Sequence, residues 1–215
     1  MREQIIEEIR QNRLIVILRG VEKEKLIPLC EAMYRGGVRL VEVTYSADGS
    51  IPDRETAARI SLLAEHFDER MFIGAGTVLT EEQVRLTKEA GGGFIISPDA
   101  TPCVIRATRE AGLVSIPGAL TPTEIQGAHL AGADFVKLFP VTGLGADYIK
   151  AIRAPLSHIE MLAVGGIDLA NIDKFLATGI AGVGIGAGIV DKKAMAADDY
   201  ESIRLLASRY AEAVK

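Results

Sequence analysis

Short apolar runs rich in β-branched residues recur along the whole chain, and a stretch with helix-spaced apolar positions separates each run from the next. Eight runs have strand character: residues 13–19 (RLIVILR), 38–45 (VRLVEVTY), 71–76 (MFIGAG), 94–98 (FIISP), 114–117 (VSIP), 134–139 (DFVKLF), 160–165 (EMLAVG) and 182–186 (GVGIG). Helical periodicity covers 23–35, 56–67, 80–90, 102–111, 122–131, 146–152 and 171–178, while 200–214 closes the chain and residues 1–9 form an amphipathic opening helix. Glycine follows several of these helices (Gly36, Gly91, Gly112, Gly132, Gly179), where a left-handed cap residue ends a helix. Helix starts are marked by Thr80-Glu81-Glu82-Gln83 and by Thr121-Pro122-Thr123-Glu124, which match a capping box and a proline in the first turn.

Strict alternation of strand and helix predicts a parallel α/β sheet. Eight βα units in 215 residues leave about 27 residues each, short but sufficient for a (β/α)8 barrel with an extra N-terminal helix. An open doubly wound sheet would place a Gly-rich turn after the first strand, and Leu18-Arg19-Gly20-Val21 is not one. No linker or composition shift divides the chain, so residues 1–215 are expected to form one barrel domain; the longest connection, 46–53, follows the second strand.

Composition narrows the function classes. Hydrophobic residues make up 48% of the chain but aromatics only 5%, with no Trp, so the core is expected to be aliphatic. The net charge is -5 and no basic block exists to neutralise phosphates, which argues against a nucleic-acid partner. No run approaches the roughly 18 apolar residues of a membrane span, so no membrane partner and a cytoplasmic location are expected. Cys30 and Cys103 lack a CxxC partner and His66, His129 and His158 are scattered, so neither a metal nor a cofactor is expected.

The most informative residue is Lys137, an ionisable group inside the apolar run Asp134 to Pro140. An ammonium without a partner among apolar groups loses hydration, and the neutral amine that gains ground can attack a carbonyl carbon. A plainer account pairs Lys137 with a carboxylate or turns it into water. A second misplaced charge, Glu42 in Val38 to Tyr45, favours the chemical account, because a lysine and a proton-carrying carboxyl suffice for imine chemistry. Period-2 alternation puts Glu42 and Thr44 on one strand face, and Phe135, Lys137 and Phe139 on one face of theirs. Arg19, Glu42, Thr44, Thr77, Ser97, Lys137 and the Gly165-Gly166 pair all fall late in a strand or just beyond it, on the rim where parallel barrels build their sites. Arg19 could hold a substrate anion or pair with Glu42. The glycines of Gly165-Gly166 and Gly186-Ala187-Gly188, running toward helix N-termini, could cradle an anion or merely relieve crowding in tight turns.

Six segments in matching order and spacing resemble the class I 2-keto-3-deoxy-6-phosphogluconate and 4-hydroxy-2-oxoglutarate aldolase family: Gly36-Gly37-Val38 leading to Val41-Glu42-Val43-Thr44, Gly74-Ala75-Gly76-Thr77-Val78-Leu79, Ile96-Ser97-Pro98, Ile116-Pro117-Gly118 with Thr121-Pro122-Thr123-Glu124, Val136-Lys137-Leu138-Phe139-Pro140, and Gly165-Gly166-Ile167. The resemblance implies a barrel enzyme, a homotrimer without a metal, in which Lys137 forms an imine with a 2-keto acid and Glu42 relays protons through a water. It further implies that Arg19, Thr77, Pro98, Gly165, Gly166 and Gly186 bind substrate. The expected reaction cleaves a 2-keto-3-deoxy-6-phospho sugar acid of gluconate or galactonate type, or 4-hydroxy-2-oxoglutarate, to pyruvate and an aldehyde. Three departures bear on the substrate. Ser46 stands where many members have a carboxylate-binding Arg, Ala187 where phosphate binders usually have Ser, and Val164 where several have Thr. Ala187 and the longer 46–53 loop raise the alternative of an imine-forming aldolase for an unphosphorylated keto acid, and Ser46 with Ala187 that of a non-catalytic keto-acid-binding barrel.

Overall fold

A computed structural model describes all 215 residues. Its strands are β1 (Leu14–Leu18), β2 (Leu40–Thr44), β3 (Phe72–Gly76), β4 (Phe94–Ile96), β5 (Val114–Ile116), β6 (Gly118–Ala119), β7 (Val136–Leu138), β8 (Met161–Val164) and β9 (Gly182–Ile185). Every paired strand is parallel, in the order β5-β4-β3-β2-β1-β9-β8-β7-β6. The two ends of that order are separated in sequence by Pro117 alone. Proline has no N–H to give the ladder, so one stave is split in two. Its first part pairs with β4 and its second with β7, which closes an eight-stave barrel.

The helices are α1 (Arg2–Asn12), α2 (Lys23–Arg35), α3 (Asp53–Phe67), α4 (Glu81–Glu89), α5 (Pro102–Glu110), α6 (Pro122–Leu130), α7 (Gly145–Arg153), α8 (Ile172–Leu176), α9 (Lys192–Ala196) and α10 (Tyr200–Ala213). The capping signals act as anticipated: Thr80 accepts from the Gln83 N–H, and Thr121 with Glu124 forms a full capping box. The helical periodicity of the sequence does not extend to α9. At five residues it is too short to show a period, and the Asp191 carboxylate, which accepts from the N–H groups of Lys193 and Ala194, starts it.

Alternation along the strands divides the core into two compartments. Outward positions such as Val16, Val41, Ile73 and Val136 pack under the helices. Inward positions Ile15, Leu40, Phe72, Phe94, Ile116, Phe135 and Leu162 fill the barrel with Ile5, Ile6 and Ile9 of α1, so the opening helix plugs the N-terminal end. Each fully buried Ile contributes roughly 1.5–3 kcal/mol as an upper bound. Charge fixes the plug in place. Asp134 accepts from Arg2, from Arg109 at 2.7 Å and from the Ser115 N–H at 2.9 Å, while Arg10 meets Glu160 at 2.6 Å. With one end closed, only the C-terminal mouth is left for a ligand.

Candidate active site

Lys137 on β7 and Glu42 on β2 enter the barrel from opposite staves, four strand steps apart in either direction. Both are buried, at 7% and 2% exposure, and they line one small cavity with Ile15, Ile17, Ile96, Ile116, Leu162, Val164 and Gly184. The cavity holds about 10 Å³, the room of one water-sized sphere. Neither side chain hydrogen-bonds within the chain, and no carboxylate lies within 4.0 Å of Lys137 Nζ. The plainer account of Lys137, an ion pair or a solvated surface position, therefore does not hold. Its Nζ stands 4.4 Å from the centre of the Phe139 ring, a cation–π contact with the residue two places on.

Electrostatics follow from this aliphatic wall. Burial pulls the Lys137 amine below the usual lysine range, an effect that Glu42 opposes and Arg19 reinforces. Burial likewise pushes the Glu42 carboxyl up, against the pull of Lys137 and Arg19. Both groups are driven toward their neutral forms. A neutral amine is a nucleophile, and a carboxyl with a raised pKa holds its proton more firmly than a solvent-exposed one and can still return it.

Around the mouth, Arg19 follows β1 and donates to Thr77 Oγ1 at 3.4 Å. It makes no ion pair with Glu42 or any other carboxylate, which leaves its guanidinium free for an anion. Thr77 has a left-handed backbone with φ 56°, an uncommon conformation for a β-branched residue and one found at ligand sites. Pro98 and buried Ser97 sit beside the split stave, where the Ser97 N–H donates to Ile116 O at 3.2 Å. Thr44 is also buried on the mouth side, its hydroxyl donating to Leu18 O at 3.3 Å. A groove of about 640 Å³, large enough for a small metabolite, opens between the loops after β1 and β9; Ile17, Arg19, Gly186, Ala187 and Lys192 line it. Ile17 borders both this groove and the inner cavity.

The glycine loops differ from expectation in one respect. They do not lead directly into helix N-termini, since α8 starts at Ile172 and α9 at Lys192, and Asp191 already caps the latter. Any anion there must be held by the loop amides themselves. The N–H groups of Gly165, Gly166, Gly186 and Ala187 donate to no acceptor of the chain. Gly165 (φ 103°) and Gly166 (φ 71°) lie under Thr142 Oγ1, 2.9 Å from where a Cβ on Gly166 would stand. Thr142 was missed in the sequence because nothing in its spacing ties it to this loop; Phe139, by contrast, shares the alternation of Lys137. Ser46 points into its own loop, where its hydroxyl meets Ser50 Oγ at 2.7 Å and Asp48, whose carboxyl the Ser46 hydroxyl and then the Ser50 N–H and hydroxyl lower to about 2.

The family model described as "KDPG and KHG aldolase" matches residues 5–206. The chain is 37% identical over 190 residues, 88% of its length and 86% of the relative's, to a Rhizobium meliloti protein named "Probable 2-dehydro-3-deoxy-6-phosphogalactonate aldolase". It is 29% identical over 215 residues, 99% of this chain and 98% of the relative, to the 2-dehydro-3-deoxy-phosphogluconate aldolase of Haemophilus influenzae. Among solved structures it superposes with a TM-score of 0.82 on KDPG aldolase from Legionella pneumophila with pyruvate captured at low pH as a covalent carbinolamine intermediate. Identity there is 29%, covering 92% of this chain and 93% of that one.

Proposed function

The chain belongs to the KDPG and KHG aldolase family, and from that premise we propose that Lys137 is its imine-forming nucleophile and Glu42 its proton carrier. The observation that carries this is the meeting of the two side chains from opposite staves in one water-sized, aliphatic-walled cavity. The enzyme is a lyase. The neutral Lys137 amine attacks C2 of a 2-keto acid, and loss of water from the carbinolamine leaves a protonated imine. Removal of the proton from the C4 hydroxyl lets the C3–C4 bond break, its electron pair moving through C3 toward the iminium nitrogen. An aldehyde departs and an enamine stays on the lysine. Protonation at C3 and addition of water to the imine then release pyruvate and restore the amine. Glu42 takes and returns the protons through a water.

Arg19 and Thr77 are assigned to the substrate carboxylate, with Pro98 shaping that side of the mouth. The free amides of Gly165, Gly166 and Gly186 are assigned to the far end. Those amides favour a substrate ending in phosphate, a 2-keto-3-deoxy-6-phospho sugar acid, over 4-hydroxy-2-oxoglutarate. The same proposal includes a single barrel domain working as a homotrimer in the cytoplasm. Leu130 and Leu205, 75% and 51% exposed, are apolar surface that a neighbouring subunit would cover. A monomer mass by light scattering would exclude the trimer. Borohydride reduction in the presence of pyruvate should fix a pyruvyl adduct on the Lys137 peptide. Mass spectrometry finding the adduct elsewhere, or nowhere, would end the assignment.

A further inference from the structure

Glu42 does not extend straight across the barrel. Its Cα is in register with Gly74, yet a Cβ built on Gly76, two residues nearer the mouth, would lie 2.5 Å from Glu42 Oε1 and 2.8 Å from Cδ. Carbon atoms in contact stand about 3.5–4.0 Å apart. The carboxyl therefore occupies the space that a side chain at 76 would fill. Gly76 has no left-handed backbone that would demand glycine, and the other nearby atom is the Thr44 Cγ2 methyl at 3.1 Å. The neighbouring glycine has a different reason: at Gly74 a Cβ would meet the Phe94 ring at 2.3 Å, a matter of packing. No other glycine in the chain gives its side-chain space to a carboxylate.

We infer that Gly76 is a positioning residue for the proposed reaction, its bare backbone forming the seat that fixes the Glu42 carboxyl in the cavity it shares with Lys137. The inference rests on the role proposed for Glu42. It gives the glycine at the end of β3 a task in the chemistry without any contact to substrate. An alanine at 76 would push the carboxyl aside by roughly 0.5–1 Å, and a misplacement of that order costs a proton-transfer step about 10–100-fold. Shortening the acid by one methylene removes the collision.

The test compares G76A, E42D, G76A/E42D and E42Q on 2-keto-3-deoxy-6-phosphogluconate, following kcat, its pH profile, melting temperature and borohydride trapping of pyruvate. The expected result for G76A is near-native melting, trapping on Lys137, a kcat lower by roughly 10–100-fold and a displaced pH limb, namely the limb that E42Q abolishes. E42D should cost far less in the G76A background than in the wild type. Wild-type kcat and pH profile in G76A, with E42Q impaired, would overturn the seat while leaving the role of Glu42 standing. Full turnover by E42Q would remove that role and this inference with it. Should G76A be insoluble, T44S/G76A, which also removes the Thr44 methyl, carries the same expectations, and its unimpaired turnover would be equally decisive against the seat.

Discussion

Replacing Lys137 with Met is expected to abolish activity and raise stability together. The amine is 7% exposed among Ile15, Ile17, Ile96, Ile116, Leu162 and Val164, with no ion-pair partner. Met has nearly the same length and no charge to desolvate. Replacing buried ion pairs by packed apolar residues has stabilised proteins by about 1–4 kcal/mol, and Lys137, with no carboxylate in ion-pair contact, carries a desolvation cost of the same kind. Losing the contact with Phe139 at 4.4 Å returns about 0.5–2 kcal/mol. The net gain is about 0.5–2 kcal/mol, and at roughly 2–4 °C per kcal/mol for a chain of this size the melting temperature should rise by about 1–8 °C near pH 7. The pH dependence gives a sharper criterion. Burial lowers the folded-state pKa of Lys137, so between that value and the unfolded value of about 10.4 the unfolded chain binds more protons. Wild-type stability therefore gains as pH rises through that window, and the advantage of Lys137→Met narrows. Thermal melts of both proteins from pH 7 to 10, repeated in a Glu42→Gln background to remove the partner carboxyl, provide the measurement. A variant that melts at or below the wild type at pH 7, or whose advantage is as large at pH 10, would refute the picture of a desolvated amine.

Ala187→Ser should place a hydroxyl beside the free amides of the β9 loop; a new bond to a charged group is worth about 1.5–3 kcal/mol, so KM for a phosphorylated substrate should fall about tenfold or more while that for 4-hydroxy-2-oxoglutarate stays put, as steady-state kinetics on both would show. Arg19→Ala removes an unpaired guanidinium next to Thr77 and should raise KM for every 2-keto acid by roughly 10–100-fold, measurable also as weaker protection by pyruvate in borohydride titrations. Asp134→Ala removes the partner of Arg109, one of the two partners of Arg2 and the acceptor of the buried Ser115 N–H, and so loosens the plug helix; a loss of about 1–3 kcal/mol in urea unfolding is expected, with the Lys137 adduct still forming in the folded fraction.

Most of the framework could be read from the chain itself. β-branched runs alternating with helical periods are local properties, and they placed all eight staves and every long helix, because strand and helix periods depend on neighbours two to four residues apart. Lys137 and Glu42 stood out for the same reason: a charge in an apolar run is visible without knowing what lies opposite. Which charges meet was another matter. In the sequence Arg19 could hold a substrate anion or pair with Glu42, and only closure of the barrel put it beside Thr77 with no carboxylate in ion-pair contact. The short α9 and its Asp191 cap, the free amides over which Thr142 sits, and the seat at Gly76 all depend on contacts between strands or loops far apart in sequence. Alternation can say which face a residue takes, but a distance across a barrel is set by strand number, tilt and register, and these exist only once the sheet has closed on itself.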